Sequence, residues 1–260
     1  MIENVAFIGV GHLARYMITG LRRGDQPLKL HLYNRTFEKA LHLVQTYEDC
    51  ENYKSAQLAV DPAELVILAT RPDDVSRALE NVKFSSNQLV ISVVAGVSLA
   101  TLKRLVEPAQ VVRAMPVSCV AINKSPTLIY PNHDVAHYFF SLLGQVHHLQ
   151  NEQQFNPATA LVGAYYAWLF PLMGQLNDWA VEQGLDKENA RQLITEINQG
   201  ASAMAEMQSD RSFDDIWQSL ATKGGISDRG MQTIDKLGGI DAWCAALSDV
   251  TQMMNDKNNI

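Results

Sequence analysis

Short, unbroken apolar runs separated by mixed segments organise the first 150 residues. The runs are Asn4 to Ile8, Leu28 to Tyr33, Leu65 to Ala69, Leu89 to Val94 and Val111 to Ala114, rich in Val, Ile and Leu. Runs of this length and composition suit strands covered on both faces. Between them, Leu13 to Arg23 and Phe37 to Tyr47 can be helical. Such alternation predicts a parallel sheet with right-handed crossovers, and Leu128 to Tyr130 and Val146 to His148 are expected to extend it. After the polar stretch Gln150 to Gln154 no further strand is expected. Gly184 can end one helix and Asp186 can N-cap the next, which runs toward Met207. Ser212-Phe213-Asp214-Asp215 has the spacing of a capping box, and Gly238-Gly239 closes a helix before the last one, Asp241 to about Met254. The expected architecture is an α/β domain over residues 1–152 joined to an all-helical domain over 153–260.

Phe155 to Asn177 contains no charged residue. It approaches the 20 or so apolar residues a membrane span needs, but Pro171 and Gly174 interrupt it and no Lys or Arg flanks it. Burial in a large core or a subunit interface is the expectation. The rest of the composition is that of a folded chain: 47% hydrophobic and 19% charged over 260 residues. A net charge of -7 speaks against a broad nucleic-acid surface, which needs clustered Lys and Arg. Cys50, Cys119 and Cys244 form neither a metal motif nor a disulfide framework, so no metal is expected. No secretory leader is expected either, and the chain is read as cytoplasmic.

The first chemistry lies directly after the first apolar run. Gly9-Val10-Gly11-His12-Leu13-Ala14 reads as strand, tight turn and helix start. Gly9 permits the turn, Gly11 lets a pyrophosphate approach the backbone, and Ala14 allows close packing of helix on strand. The helix N-terminus then offers free N–H groups to phosphate oxygens. His12 is read as a spectator in this loop. The second strand ends in Asn34-Arg35-Thr36, where an NAD site would place Asp or Glu. Three donors and no carboxylate point instead to the 2′-phosphate of NADP(H). The first domain is therefore expected to be a Rossmann-like NADP-binding domain.

With these motifs in order, the chain resembles the pyrroline-5-carboxylate reductase family. Asn34-Arg35-Thr36 matches the family's Asn-Arg-Ser/Thr, and Leu68-Ala69-Thr70-Arg71-Pro72 stands where it has Ala-Val-Lys-Pro. Ile91 to Gly96 matches a Ser-x-x-Ala-Gly strand end, ending here in Ala95-Gly96, and Arg113-Ala114-Met115-Pro116 matches Arg-x-Met-Pro. Gly184-Leu185, Gly200-Ala201 and Gly224-Gly225 keep the spacing of its helical domain. The departures cluster around the substrate. Met115-Pro116 is followed by Val117-Ser118-Cys119, and two phenols, Tyr165 and Tyr166, enter a helix start that is small in the family. The Ser-Pro-Gly-Gly-Thr-Thr loop becomes Thr222-Lys223-Gly224-Gly225-Ile226-Ser227.

The resemblance implies reduction of a cyclic imine bearing a carboxylate, with Lys223, Gly224, Gly225, Ile226 and Ser227 binding the substrate. Ser227 stands where the family has a hydroxyl near the imine nitrogen, and it is expected to orient a proton or water rather than act as a stand-alone acid. Lys223 either pairs with the carboxylate or is solvated, and Tyr165 and Tyr166 are read as packing residues. Gly9, Gly11, His12, Leu13, Ala14, Asn34, Arg35, Thr36, Ala69, Thr70, Arg71, Pro72, Ala95 and Gly96 are the expected cofactor residues. The resemblance further implies a homodimer, or a higher homo-oligomer, built by the helical domain, with no nucleic-acid or membrane partner. Two alternatives stay open: a paralogous NADPH-dependent reductase for another imine or ketone, and a dinucleotide-binding or sensing protein without turnover.

Overall fold

The computed structural model of the chain describes residues 2–24 and 26–258. By internal contacts the chain forms two compact units, divided at Ala164/Tyr165 and at Ser248/Asp249, with the last residues returning to the first unit. The first unit holds an eight-stranded sheet. Its strands are β1 (Asn4–Ile8), β2 (Lys29–Tyr33), β3 (Cys50–Tyr53), β4 (Leu65–Leu68), β5 (Leu89–Ser92), β6 (Gln110–Met115), β7 (Ser125–Tyr130) and β8 (Gly144–His148). Their order is β3-β2-β1-β4-β5-β6-β7-β8. The intervening helices are α1 (His12–Arg23), α2 (Glu38–Thr46), α3 (Ala56–Val60), α4 (Val75–Leu79), α5 (Leu99–Val106) and α6 (Asp134–Ser141).

The unbroken apolar runs follow from two covered faces. Along β1, Val5 and Phe7 enter one core with Met17 and Leu21 of α1, while Ala6 and Ile8 enter another with Leu102 and Val106 of α5. Because side chains alternate sides along a strand, a strand covered on both faces needs an apolar residue at every position.

Two features differ from expectation. The edge strand β3 was hidden by its polar sequence, Cys-Glu-Asn-Tyr, of which only Cys50 is buried. The sheet is also not wholly parallel, since β7 runs antiparallel to β6. The link between them, residues 116–124, is shorter than the dozen or so residues that a parallel crossover requires.

At the end of this unit, Arg113 of β6 is almost wholly buried. Its guanidinium donates to Glu152 Oε1 at 2.8 Å and lies 4.0 Å from the centre of the Phe155 ring. Glu152 also accepts the Leu99 N–H at 2.6 Å, so one carboxylate ties β6, α5 and the chain leaving the sheet. Burial lowers the Arg113 pKa, and the Glu152 partner opposes that shift.

The chain continues as α7 (Phe155–Thr159), one π-helical stretch (Ala160–Tyr165) and α8 (Tyr166–Glu182). No helix among the described residues is long and apolar enough to cross a membrane. Phe155 and Ala160 are buried, but Phe170, Leu172 and Leu176 are exposed. Of the two expected fates of this uncharged stretch, its later part is therefore left uncovered within one chain. The helical unit continues with α9 (Lys187–Met207), α10 (Phe213–Leu220) and α11 (Ile226–Lys236), and α12 (Gly239–Asn258) returns to the first unit. Asp186 Oδ1 accepts the N–H groups of Glu188 and Asn189, both at 3.0 Å, and both halves of the Ser212–Asp215 capping box form. Gly184, at φ 95°, ends α8, and the last helix runs longer than its predicted Asp241 to Met254.

A Cβ on Gly20, in the interior of α1, would overlap the Val120 carbonyl oxygen. Gly→Ala inside a helix ordinarily stabilises by about 1 kcal/mol. Here Gly20→Ala is expected to destabilise by about 1–3 kcal/mol through overpacking against backbone. Urea unfolding checks this, and unchanged or higher stability would mean that α1 is not seated on that turn.

Candidate functional site

From β1 the chain steps outward to β2 and β3, then crosses back to form β4 on the other side of β1. At such a switch point the connections leave in opposite directions and open a crevice at the carboxyl ends of the strands. Gly9 closes its floor. It sits at φ 97°, donates its N–H to Tyr33 O at 2.8 Å, and would place a Cβ 2.6 Å from Ala69 O. Gly11 is different: a Cβ there would meet nothing within 4 Å, so the space beside it is open. Gly11 precedes α1 and no side chain caps that helix, which leaves first-turn N–H groups for an anion. Ala14 is fully buried and lets α1 close on the sheet.

The crevice is a cavity of about 750 Å³, within the usual range for cofactor sites. Of the expected cofactor residues, Gly9, Gly11, His12, Leu13, Asn34, Arg35, Thr36, Ala69, Thr70 and Arg71 line it. Ala14, Pro72, Ala95 and Gly96 do not. Pro72 starts a 3-10 turn, and Ala95 packs beside Met115 and Phe155, with Val93, directly after β5, lining the cavity instead. His12 is the first residue of α1 rather than a loop residue.

Sequence reasoning missed several lining residues, among them Arg15, Lys39, Asp74 and Arg77. Arg15 lies one helical turn after His12, a periodicity that could have revealed it. With Arg35 and Arg71 these make five cations around one carboxylate. Among the described residues the buried Thr70 Oγ1 finds no hydrogen-bond partner, although Thr70 lines the cavity. Cationic walls, an uncapped helix and an orphaned hydroxyl are what an anionic, hydroxyl-rich ligand would satisfy.

Two expectations about the second loop need correction. Asn34 is not a free donor: its Oδ1 accepts the Val10 N–H at 3.0 Å and its Nδ2 donates to Thr36 O at 2.9 Å. It braces the glycine turn against the end of β2. A carboxylate is also present after all, since Asp74 reaches Arg35 at 3.5 Å and pairs with Arg77.

In the helical unit, Lys223, Gly224 and the half-buried Gly225 lead into α11, whose first two residues are the exposed Ile226 and Ser227. Gly224, at φ 76°, supplies the left-handed step. Its N–H, expected to meet a substrate carboxylate, instead donates to Asp228 Oδ2 at 2.7 Å. The Gly225 N–H donates to Thr222 O at 2.8 Å. No side chain caps α11, and Ile226 is 94% exposed. Asp228 was missed, although an acid in a helix's first turn is a known complement to the free N–H groups there.

Comparison with known proteins gives separate matches for the two halves of the chain. A family model described as pyrroline-5-carboxylate reductase dimerisation matches residues 152–256, and one described as NADP oxidoreductase, coenzyme F420-dependent, matches residues 4–96. Pyrroline-5-carboxylate reductase 1 of Bacillus subtilis is 28% identical over 257 residues, covering 94% of this chain and 86% of its own. Among solved structures, 1-pyrroline-5-carboxylate reductase from Streptococcus pyogenes superposes with a TM-score of 0.87 at 23% identity, covering 99% and 98% of the two chains. Plasmodium falciparum pyrroline carboxylate reductase, solved with NADP bound, gives 0.87 at 18% identity with the same coverage. These two structures speak for the fold.

The two glycines of the turn should separate in stability measurements. Gly9→Ala combines a positive φ with a backbone clash and is expected to cost about 2–4 kcal/mol. Gly11→Ala meets open space, and its loss should stay below about 1 kcal/mol. Equal losses in urea unfolding would contradict this geometry.

Proposed function

Because the chain belongs to the pyrroline-5-carboxylate reductase family, we propose that it reduces 1-pyrroline-5-carboxylate to proline with NADPH. The observation that carries this reading is the cation-lined crevice between β1 and β4, with its open Gly11 and unpartnered Thr70 hydroxyl. Bound NADPH supplies the hydride that the imine carbon receives. The residues of this chain bind and orient. First-turn N–H groups at His12 and Leu13 take the pyrophosphate, and Arg35 with Thr36 takes the 2′-phosphate. Thr70 and Arg71 hold the adjoining part of the dinucleotide, and we place Pro72, Ala95 and Gly96 behind them as shape-giving backbone.

For the substrate we propose the turn at residues 223–227. With the N–H groups of Gly224 and Gly225 given to Asp228 and Thr222, the carboxylate is left with the N–H groups of Ile226 and Ser227, the Ser227 hydroxyl and the Lys223 ammonium. Ser227 Oγ then holds the proton or water that serves the imine nitrogen. We keep the division into a dinucleotide domain over 1–152 and a helical domain over 153–260. The dimerisation match points to a homo-oligomer. We propose a homodimer made by the helical domain, supported by the exposure of Trp179, Ile197 and Leu220. A cytoplasmic location is proposed because Cys50, Cys119 and Cys244 are too few and too widely spaced in the sequence to make a disulfide framework.

The test is NADPH oxidation with pyrroline-5-carboxylate, which should form proline in equal amount. A cyclic imine lacking the carboxylate should react about 100-fold more slowly, because the anion contact aligns the ring. Ser227→Ala should lower kcat while leaving NADPH affinity unchanged. Tight NADPH binding without proline formation would contradict the assignment. Light scattering at micromolar concentration checks the assembly, and a monomer would contradict the proposed dimer.

A further inference from the structure

At the rim of the crevice three charged side chains meet, and two of them, Asp74 and Arg77, are left without a role by the proposed function. Arg35 follows β2, and Arg77 lies in α4. Both guanidiniums reach the same oxygen, Asp74 Oδ1. The arginine side chains are 72% and 63% exposed, whereas that of Asp74 is only 26% exposed. Asp74 is set in place by its backbone: it ends the 3-10 turn Pro72–Asp74, and its N–H donates to Arg71 O at 3.0 Å. Its second oxygen, Oδ2, makes no hydrogen bond among the described residues.

Two guanidiniums converging on one anionic oxygen reproduce what a phosphate monoester dianion asks of its site. The protein meets that demand with its own carboxylate. A phosphate arriving at Arg35 and Arg77 must displace Asp74 from both and then lie beside a like charge, which opposes binding. A ribose with a free hydroxyl meets the reverse situation. Asp74 Oδ2 is an acceptor for that hydroxyl, and pairing with Oδ1 has already neutralised much of the guanidinium charge that would otherwise lack a partner. One residue therefore works against the phosphorylated ribose and in favour of the unphosphorylated one.

We propose that Asp74 is a specificity-determining residue that narrows the preference for NADPH over NADH. It does so by occupying Arg35 and Arg77 in the free protein and by accepting a hydrogen bond from a 2′-hydroxyl. The proposal rests on the crevice being the dinucleotide site. Pairs this exposed are individually weak, so the effect is a shift of about tenfold in the affinity ratio rather than a reversal of preference.

The test is a titration of the intact chain with NADPH and with NADH, followed by nicotinamide fluorescence, for wild type, Asp74→Asn, Arg77→Gln, Arg35→Gln/Arg77→Gln and the triple variant. Thermal unfolding of each variant verifies folding. Asp74→Asn should bind NADPH tighter and NADH more weakly, raising the affinity ratio about tenfold. Arg77→Gln, which relies on no change at Asp74, should lose NADPH affinity while keeping that for NADH. Adding Asp74→Asn to the double arginine variant should no longer improve NADPH binding. An unchanged or lower ratio in Asp74→Asn, or the same gain without the arginines, would overturn the proposal. These failures differ from a failure of the underlying reading: there the wild-type chain itself would bind neither dinucleotide, and both would fall together.

Discussion

The structure depends on how closely Gly9 approaches Ala69. β1 and β4 are neighbours that send their chains in opposite directions, and the turn after β1 must pass over the end of β4 to reach α1. A side chain on Gly9 would stand 2.6 Å from Ala69 O, and its φ of 97° is one that residues with a Cβ avoid. With the turn held that low, α1 starts beside the crevice and its unpaired N–H groups border it. Asn34 fixes the turn from the other side by accepting the Val10 N–H. The crevice is thus a product of strand order and one missing side chain, and the lining residues inherit their positions from both.

Charge then selects what the crevice can hold. The chain as a whole is acidic, at -7, yet five of its cations line this cavity around a single carboxylate. Backbone N–H groups and guanidiniums act together on a polyanion, the first by fixed direction and the second by charge. Arg113 shows the opposite use of a guanidinium. Wholly buried and paired with Glu152, it fixes where the chain leaves the sheet. Breaking such a pair from one side is costly because the other charge is left buried.

Much of this was legible in the sequence where the signal is local. The runs at β1, β2, β4, β5 and β6, the glycine turn, the Asp186 cap and the Ser212 capping box are all set by neighbours within a few residues. What was hidden depends on contacts far apart in the chain. β3 is a polar edge strand whose position is set by pairing Leu30 with Cys50. Asp74 lies 39 residues from Arg35, and no local pattern announces that they meet. Asn34 lines the crevice with both side-chain atoms engaged by backbone, because residue type shows a donor and an acceptor without showing which the backbone will use. Gly224 was similarly placed in an anion-binding turn, while Asp228, four residues later, takes its N–H.

We propose that the glycine turn and the start of α1 form the cradle for the dinucleotide's phosphates. Amide hydrogen exchange followed by mass spectrometry, with and without saturating NADPH, addresses it directly. Uncapped first-turn amides exchange readily when free and slowly when they donate to phosphate oxygens. The peptide covering residues 8–15 should gain protection on NADPH binding. Protection that appears elsewhere in the chain and leaves this peptide unchanged would contradict it.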